Sequence, residues 1–216
     1  MNKKVELALA RLSGVLPLKQ SQEACEPEIK HLHQQLLKSF IINGRALSKE
    51  EMSHQIDDTA NAIAVLSKRD MASFSDNGEP RNAYPFSAIE RDYLIQVNGH
   101  SVYAMCALDS LAIAPLFNVA TQITSHCKIS GEQIDIQMEG EKIVNVDETR
   151  DVVMGVSWGD ADVNTCCSDS LCKEIVFLRD KETAQQWLSD TAVDRELFTL
   201  KEATEFASRF FVPLMH

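Results

Sequence analysis

Glycine and proline are scarce in this 216-residue chain, 8 and 6 residues respectively, which is too few for a collagen-like or low-complexity protein. Positive charge is also short. Lysine and arginine number 21 against 32 acidic residues, a net charge of −11. Sequence-independent binding to nucleic acid or to an anionic membrane needs basic surface, so both are excluded as expectations. No long uninterrupted apolar run is present. The most apolar window, 102–120, carries Asp109, Ser110, Pro115 and Asn118 and reads as a buried core helix. The stretch after Met1-Asn2-Lys3-Lys4 carries Glu6 and Arg11 and does not read as a signal-peptide core. What is present is an ordinary globular composition, 44% hydrophobic and 25% charged, long enough to fold without disulfides or metal. The expectation is a soluble cytoplasmic protein whose six cysteines are reduced thiols.

The apolar periodicity predicts a helix over 3–18 ending at Pro17, a polar linker over 19–28, and a second helix over 29–42 stopped by Asn43-Gly44. Ser48-Lys49-Glu50-Glu51 is a capping box that opens a short helix, and Asp57 or Asp58 caps another. Residues 71–75, the turn Asp76-Asn77-Gly78 and residues 83–87 predict a hairpin. The last three of these four helices and the hairpin follow winged-helix order, giving a winged-helix-like unit over 1–88. Its third helix offers only Lys68 and Arg69 and begins with aspartates, so a structural role is expected rather than DNA reading.

Residues 89–216 predict a second, α+β domain, with the winged-helix-like unit packed on it. Strands are expected over 91–97, 119–127, 133–138, 142–146, 151–158 and 174–178. A buried helix is expected to stop near Pro115, a short helix to surround Trp187, and the capping box Thr199-Leu200-Lys201-Glu202 to open a C-terminal helix.

The chemistry-bearing residues are mostly sulfur. Cys106 and Asp109 are three apart, so on a helix they share a face. An aspartate in so apolar a run is costly unless paired or functional, and burial would let it hold a proton near neutral pH. A thiol beside such an acid can bind a soft metal and donate a proton. The plainer alternative is a core cysteine beside an aspartate that caps locally. Cys127 follows His126 at a strand end and reads either as a buried structural cysteine or as half of a nucleophile–base pair. Cys166-Cys167-x4-Cys172 is a denser cluster that does not match zinc-ribbon spacing but suits soft ions. Cys25, in the expected linker, reads as incidental.

These segments resemble the organomercurial (alkylmercury) lyases of the MerB type. Tyr103-Ala-Met-Cys106-Ala-Leu-Asp109-Ser-Leu111 is similar to the family's aromatic-Ala-x-Cys-Ala-Leu-Asp-Thr-Leu segment. Thr124-Ser-His-Cys127 resembles its Ser-Ser-His-Cys, 21 residues beyond the first cysteine. Cys172, Ile175, Phe177, Leu178, Ala184 and Trp187 resemble the run that follows its second catalytic cysteine. Here Leu178 stands for an aromatic, and Glu174 for a frequent histidine. Aligning on Cys172 needs no gap to Trp187, whereas aligning on Cys166 or Cys167 needs one. Those two are therefore auxiliary or alternative thiols.

The resemblance implies protonolysis of a carbon–mercury bond to hydrocarbon and Hg(II), without a cofactor. Cys106 and Cys172 would hold mercury, and Asp109 would protonate the carbon. Cys127 would be structural. Small thiols or a mercuric reductase would take the Hg(II). The rival expectation is a non-catalytic protein on the same fold that binds or senses soft metals. It would need the thiols but not Asp109.

Overall fold

The computed structural model describes residues 2–160, 166–189 and 194–216. Helix α1 (Lys3–Val15) is capped by Asn2, whose side chain accepts from the Lys4 N–H at 3.0 Å. The polar stretch expected as a linker instead contains a short helix, α2 (Leu18–Glu23). Its Gln22 is buried, donates to the Leu214 carbonyl at 2.9 Å and lies 3.0 Å from His33 Nδ1. Polar composition here marks a satisfied internal contact rather than solvent.

Helix α3 (Pro27–Asn43) starts on a proline, where no N–H is missed, and ends at Gly44 with φ +69°. A Cβ at Gly44 would lie 2.8 Å from His100 Nδ1, so glycine is required both for the conformation and for the approach of the His100 ring. Helix α4 (Lys49–Ser53) carries the capping box from Ser48, and α5 (Thr59–Lys68) is capped by Asp58.

The hairpin pairs β1 (Ala72–Phe74) with β2 (Pro80–Ala83), not with 83–87. Pro85 has no N–H to continue the ladder. The chain resumes as β3 (Phe86–Ser87), which turns back on β2 and pairs onward with β5. Phe86 is fully buried and stacks on Phe40 of α3 with ring centroids 4.6 Å apart.

Strands β4 (Tyr93–Val97) and β5 (His100–Ala104) are joined by Asn98-Gly99, both with positive φ, the geometry a tight hairpin needs. Strands β6 (Ala120–His126), β7 (Gln133–Glu139) and β8 (Lys142–Ile143) complete an antiparallel sheet of order β1-β2-β3-β5-β4-β6-β7-β8. The wing and the central strands are thus hydrogen-bonded into one sheet.

Helix α6 (Ala107–Phe117) packs on this sheet and is buried continuously from Ala107 to Ala114. As expected it stops near Pro115, ending at Phe117 with a left-handed Asn118 as its C-cap; a proline in the last turn removes only one backbone donor.

A second antiparallel sheet has the order β10 (Ile175–Leu178), β9 (Val153–Ser157), β11 (Arg195–Thr199). Strand β11 is not legible in the sequence, since Arg195 and Glu196 hide its alternation. Helix α7 (Lys181–Leu188) covers this sheet, and its Trp187 ring comes within 2.9 Å of where a Cβ of Gly155 would be.

Helix α8 (Leu200–Phe211) opens on the expected capping box, Thr199 with Glu202, and packs against α6 and α1. Thr199→Ala is expected to cost about 1 kcal/mol, the usual worth of such a cap. Thermal unfolding of the variant checks this, and an unchanged midpoint would refute it. Among the described residues, no helix is long and apolar enough to cross a membrane.

Candidate active site

Strand β5 delivers the chain to Cys106, which is the N-cap of α6. Its backbone is extended, so the sulfur folds back over the first helical turn. Sγ accepts from the Asp109 N–H at 3.5 Å, and the S–H donates to Asp109 Oδ2 at 2.9 Å. The spacing of three residues is what makes both contacts. Both side chains are buried, Cys106 at 1% exposure and Asp109 at 2%.

Burial pushes the Cys106 thiol up to about 12, even though it sits at the positive end of a helix dipole. Burial also raises the Asp109 carboxyl to about 7, against the downward pull of hydrogen bonds from Cys106. A carboxyl in that range can both accept and return a proton at neutral pH.

Cys172 arrives from the other sheet. It lies on a 3₁₀ turn, Leu171–Glu174, that runs directly into β10. Its Sγ, the Cys106 Sγ and an Asp109 oxygen all lie within 4.8 Å of one another. The hydrogen-bonding sulfurs of Cys106 and Cys167, together with burial, hold the Cys172 thiol well above its ordinary value.

The sequence over 160–170, between β9 and the turn that carries Cys172, is polar. Residues 161–165 lie outside the described residues. Cys166 is exposed, while Cys167 is buried with its Sγ 3.5 Å from that of Cys172. The two adjacent cysteines therefore differ in kind.

The reason lies in the residues that flank the β1–β2 hairpin. Asp70, just before β1, accepts from the Cys167 N–H at 2.9 Å. Tyr84 accepts from the Ser168 N–H at 2.8 Å and donates to Asp70 at 3.3 Å. These partners are 97 and 84 residues away in sequence, and no local pattern points to them.

Cys127 is buried but stands outside the two-sulfur, one-carboxyl group. The Arg179 N–H donates to its Sγ at 3.4 Å, and the Lys128 N–H donates to the Phe177 carbonyl at 3.0 Å. These bonds tie the β6–β7 connection to the end of β10. Burial pushes this thiol up, but hydrogen bonds from Ser130, Ile129 and Arg179 outweigh it and hold it below its ordinary value. Cys25 is half-buried, and its S–H donates to the Ser21 carbonyl.

Tyr93 is the residue at the site that sequence reasoning placed only in a strand core. Its hydroxyl donates to the Ile175 carbonyl at 3.1 Å, and its ring meets Phe177 edge-on at 6.0 Å. It thereby fixes β4 of one sheet against β10 of the other. Burial, with the nearby Cys106, Asp92, Asp109 and Cys172, keeps its hydroxyl protonated.

Residues 86–212 match the family model for alkylmercury lyase, MerB. The chain belongs to the alkylmercury lyase family. The matched stretch contains Cys106, Asp109, Cys127, Cys166, Cys167 and Cys172. An alkylmercury lyase of Staphylococcus epidermidis is 26% identical over 106 residues, 49% of this chain and 48% of that protein. One of Bacillus cereus is 33% identical over 92 residues, 43% of this chain and 41% of its own length. One of Pseudomonas putida is 23% identical over 149 residues, 69% of each chain. The chain thus spans about half the length, or less, of the first two relatives. In fold, the chain is similar to the mercury-bound crystal structure of MerB2, with a TM-score of 0.74 at 20% identity. That likeness covers 92% of this chain and 98% of that one.

Proposed function

We propose that this protein is an alkylmercury lyase that cleaves carbon–mercury bonds by protonolysis, with Cys106 and Cys172 as mercury ligands and Asp109 as proton carrier. The observation that carries the reading is the buried group itself. Two sulfurs from segments that adjoin different sheets and a carboxyl near neutral pKa share one small volume. Thiolate is the softest common side-chain ligand, and it suits mercury.

The Cys106 thiol displaces the leaving group X of R–Hg–X, forming S–Hg–R and releasing HX. The Cys172 thiol then binds the same mercury and passes its proton to the Asp109 carboxylate. With two thiolates on the metal, electron density at the mercury-bound carbon rises. Asp109 returns the proton to that carbon, the carbon–mercury bond breaks, and R–H leaves. The sum is R–Hg–X plus two thiols giving R–H, a mercury dithiolate and HX. The protein's own residues supply every ligand and proton, so no cofactor enters the scheme.

The winged-helix-like unit, residues 1–88, is in this reading a scaffold. It supplies Asp70 and Tyr84 to the segment beside the site, and the net charge of −11 does not favour nucleic acid. The Hg(II) acceptor is a small thiol or a mercuric reductase, which places the reaction in the cytoplasm.

The test is incubation of the pure protein with phenylmercury or methylmercury and excess small thiol, with no added cofactor. Benzene or methane should appear catalytically. Stoichiometric mercurial binding without hydrocarbon would replace this reading with a soft-metal binding protein.

A further inference from the structure

We propose that Cys167 and Cys172 form a second mercury(II)-holding pair, to which the ion passes from Cys106 and Cys172 once the carbon–mercury bond is cut. The inference rests on the lyase reading for the origin of the ion. The pair itself stands on geometry.

Cys172 is shared by two neighbours. Its sulfur lies within 4.8 Å of Cys106 on one side and 3.5 Å from Cys167 on the other. An ion held by Cys106 and Cys172 can therefore change one ligand while keeping the other, and it never leaves thiolate coordination. For so soft an ion, an exchange of thiolate for thiolate loses little binding at any point.

Cys167 is also held in place rather than left to chance. It is 2% exposed, and its own N–H and that of Ser168 are anchored to Asp70 and Tyr84. These anchors come from the wing unit and take no part in the protonolysis. A structural cysteine would need only apolar neighbours, whereas this one is presented to another sulfur.

In the exchange, a mercury–sulfur bond forms to Cys167 and the one to Cys106 breaks. The proton displaced from the Cys167 thiol ends on the Cys106 sulfur. The Cys106 S–H can then donate again to the Asp109 carboxylate, as it does in the free protein. No electrons change hands, and mercury stays Hg(II). The step clears the pair that does the chemistry while the product is still bound, so that an external thiol removes the ion from Cys167 and Cys172.

The test uses mercuric chloride alone, so it does not depend on lyase activity. Cys106→Ser retains a good helix cap in place of the thiol. Loaded with one equivalent of Hg(II) and challenged with only two equivalents of a small monothiol, too few to strip a chelating pair as excess thiol does, this variant is expected to keep the ion through gel filtration, with an ultraviolet mercury–thiolate charge-transfer band. Cys106→Ser/Cys167→Ser should lose the ion, and Cys106→Ser/Cys166→Ser should keep it. Cys106→Ala in place of Cys106→Ser should give the same pattern, which separates ligation from capping.

Equal loss of Hg(II) from Cys106→Ser and Cys106→Ser/Cys167→Ser would overturn the proposal. So would retention that depends on Cys166 rather than Cys167. Hydrocarbon release by the unaltered protein is measured separately. Its failure would sink the lyase reading while leaving the mercury-binding result standing.

Discussion

Asp109→Asn is expected to lower hydrocarbon release by about 10²–10⁴-fold, the usual worth of a positioned general acid. Mercurial binding should survive. The variant keeps the size of the side chain and both sulfurs, and removes only the group proposed to carry the proton from thiol to carbon. Turnover equal to that of the unaltered protein would show that the proton comes from elsewhere.

The same variant has a second signature, in stability. Burial holds the Asp109 carboxyl at about 7 against an ordinary value of 3.8. Between those values the folded chain keeps a proton that the unfolded chain has lost. Stability from this group is therefore fully present below about pH 4 and declines as pH rises to about 7, by roughly 4 kcal/mol in all. Above about 7 the decline is complete. Denaturant titrations between about pH 4 and pH 8 should show this slope in the unaltered protein and a shallower one in Asp109→Asn. Identical slopes would mean that Asp109 does not titrate in that window.

Cys172→Ser should abolish hydrocarbon release, while Cys166→Ser should leave it in place. A hydroxyl is a hard ligand and does not replace thiolate on mercury, so one remaining sulfur cannot raise electron density at the carbon as two do. The choice between the cysteines is geometric. Cys172 shares the volume of Cys106 and Asp109 and is anchored by the buried strand β10, whereas Cys166 is exposed. A catalytic thiol has to be held to about half an ångström, which a strand terminus achieves. An active Cys172→Ser beside an inactive Cys166→Ser would transfer the role to the adjacent pair.

How much of this was legible in advance differed from residue to residue. The capping boxes at Ser48 and Thr199 and the stop at Gly44 follow from short-range hydrogen bonding, so sequence alone carried them. Cys106 and Asp109 are of the same kind: three residues apart on a helix start, they meet wherever that helix is placed. For Cys172 it was the resemblance to the lyase family, ungapped from Cys172 to Trp187, that pointed to the residue without a fold. By contrast, α2 read as a linker because its polar residues find partners at the far end of the chain. Strand β11 was hidden because a charged edge strand is specified by pairing with β9 more than by its own alternation.

Local order therefore determined every helix but α2, most of the strands, and the thiol–carboxyl pair at the start of α6, because those depend on neighbours within about one helical turn. Tertiary structure alone decided three things: that Cys172 meets that pair, that Tyr93 bridges the two sheets, and that Cys167 is buried while Cys166 is not. Each depends on groups brought together from opposite parts of the chain. Asp70 and Tyr84 meet Cys167 and Ser168 across the packing of the β1–β2 hairpin against the segment before β10, and no spacing along the sequence encodes a contact of that kind.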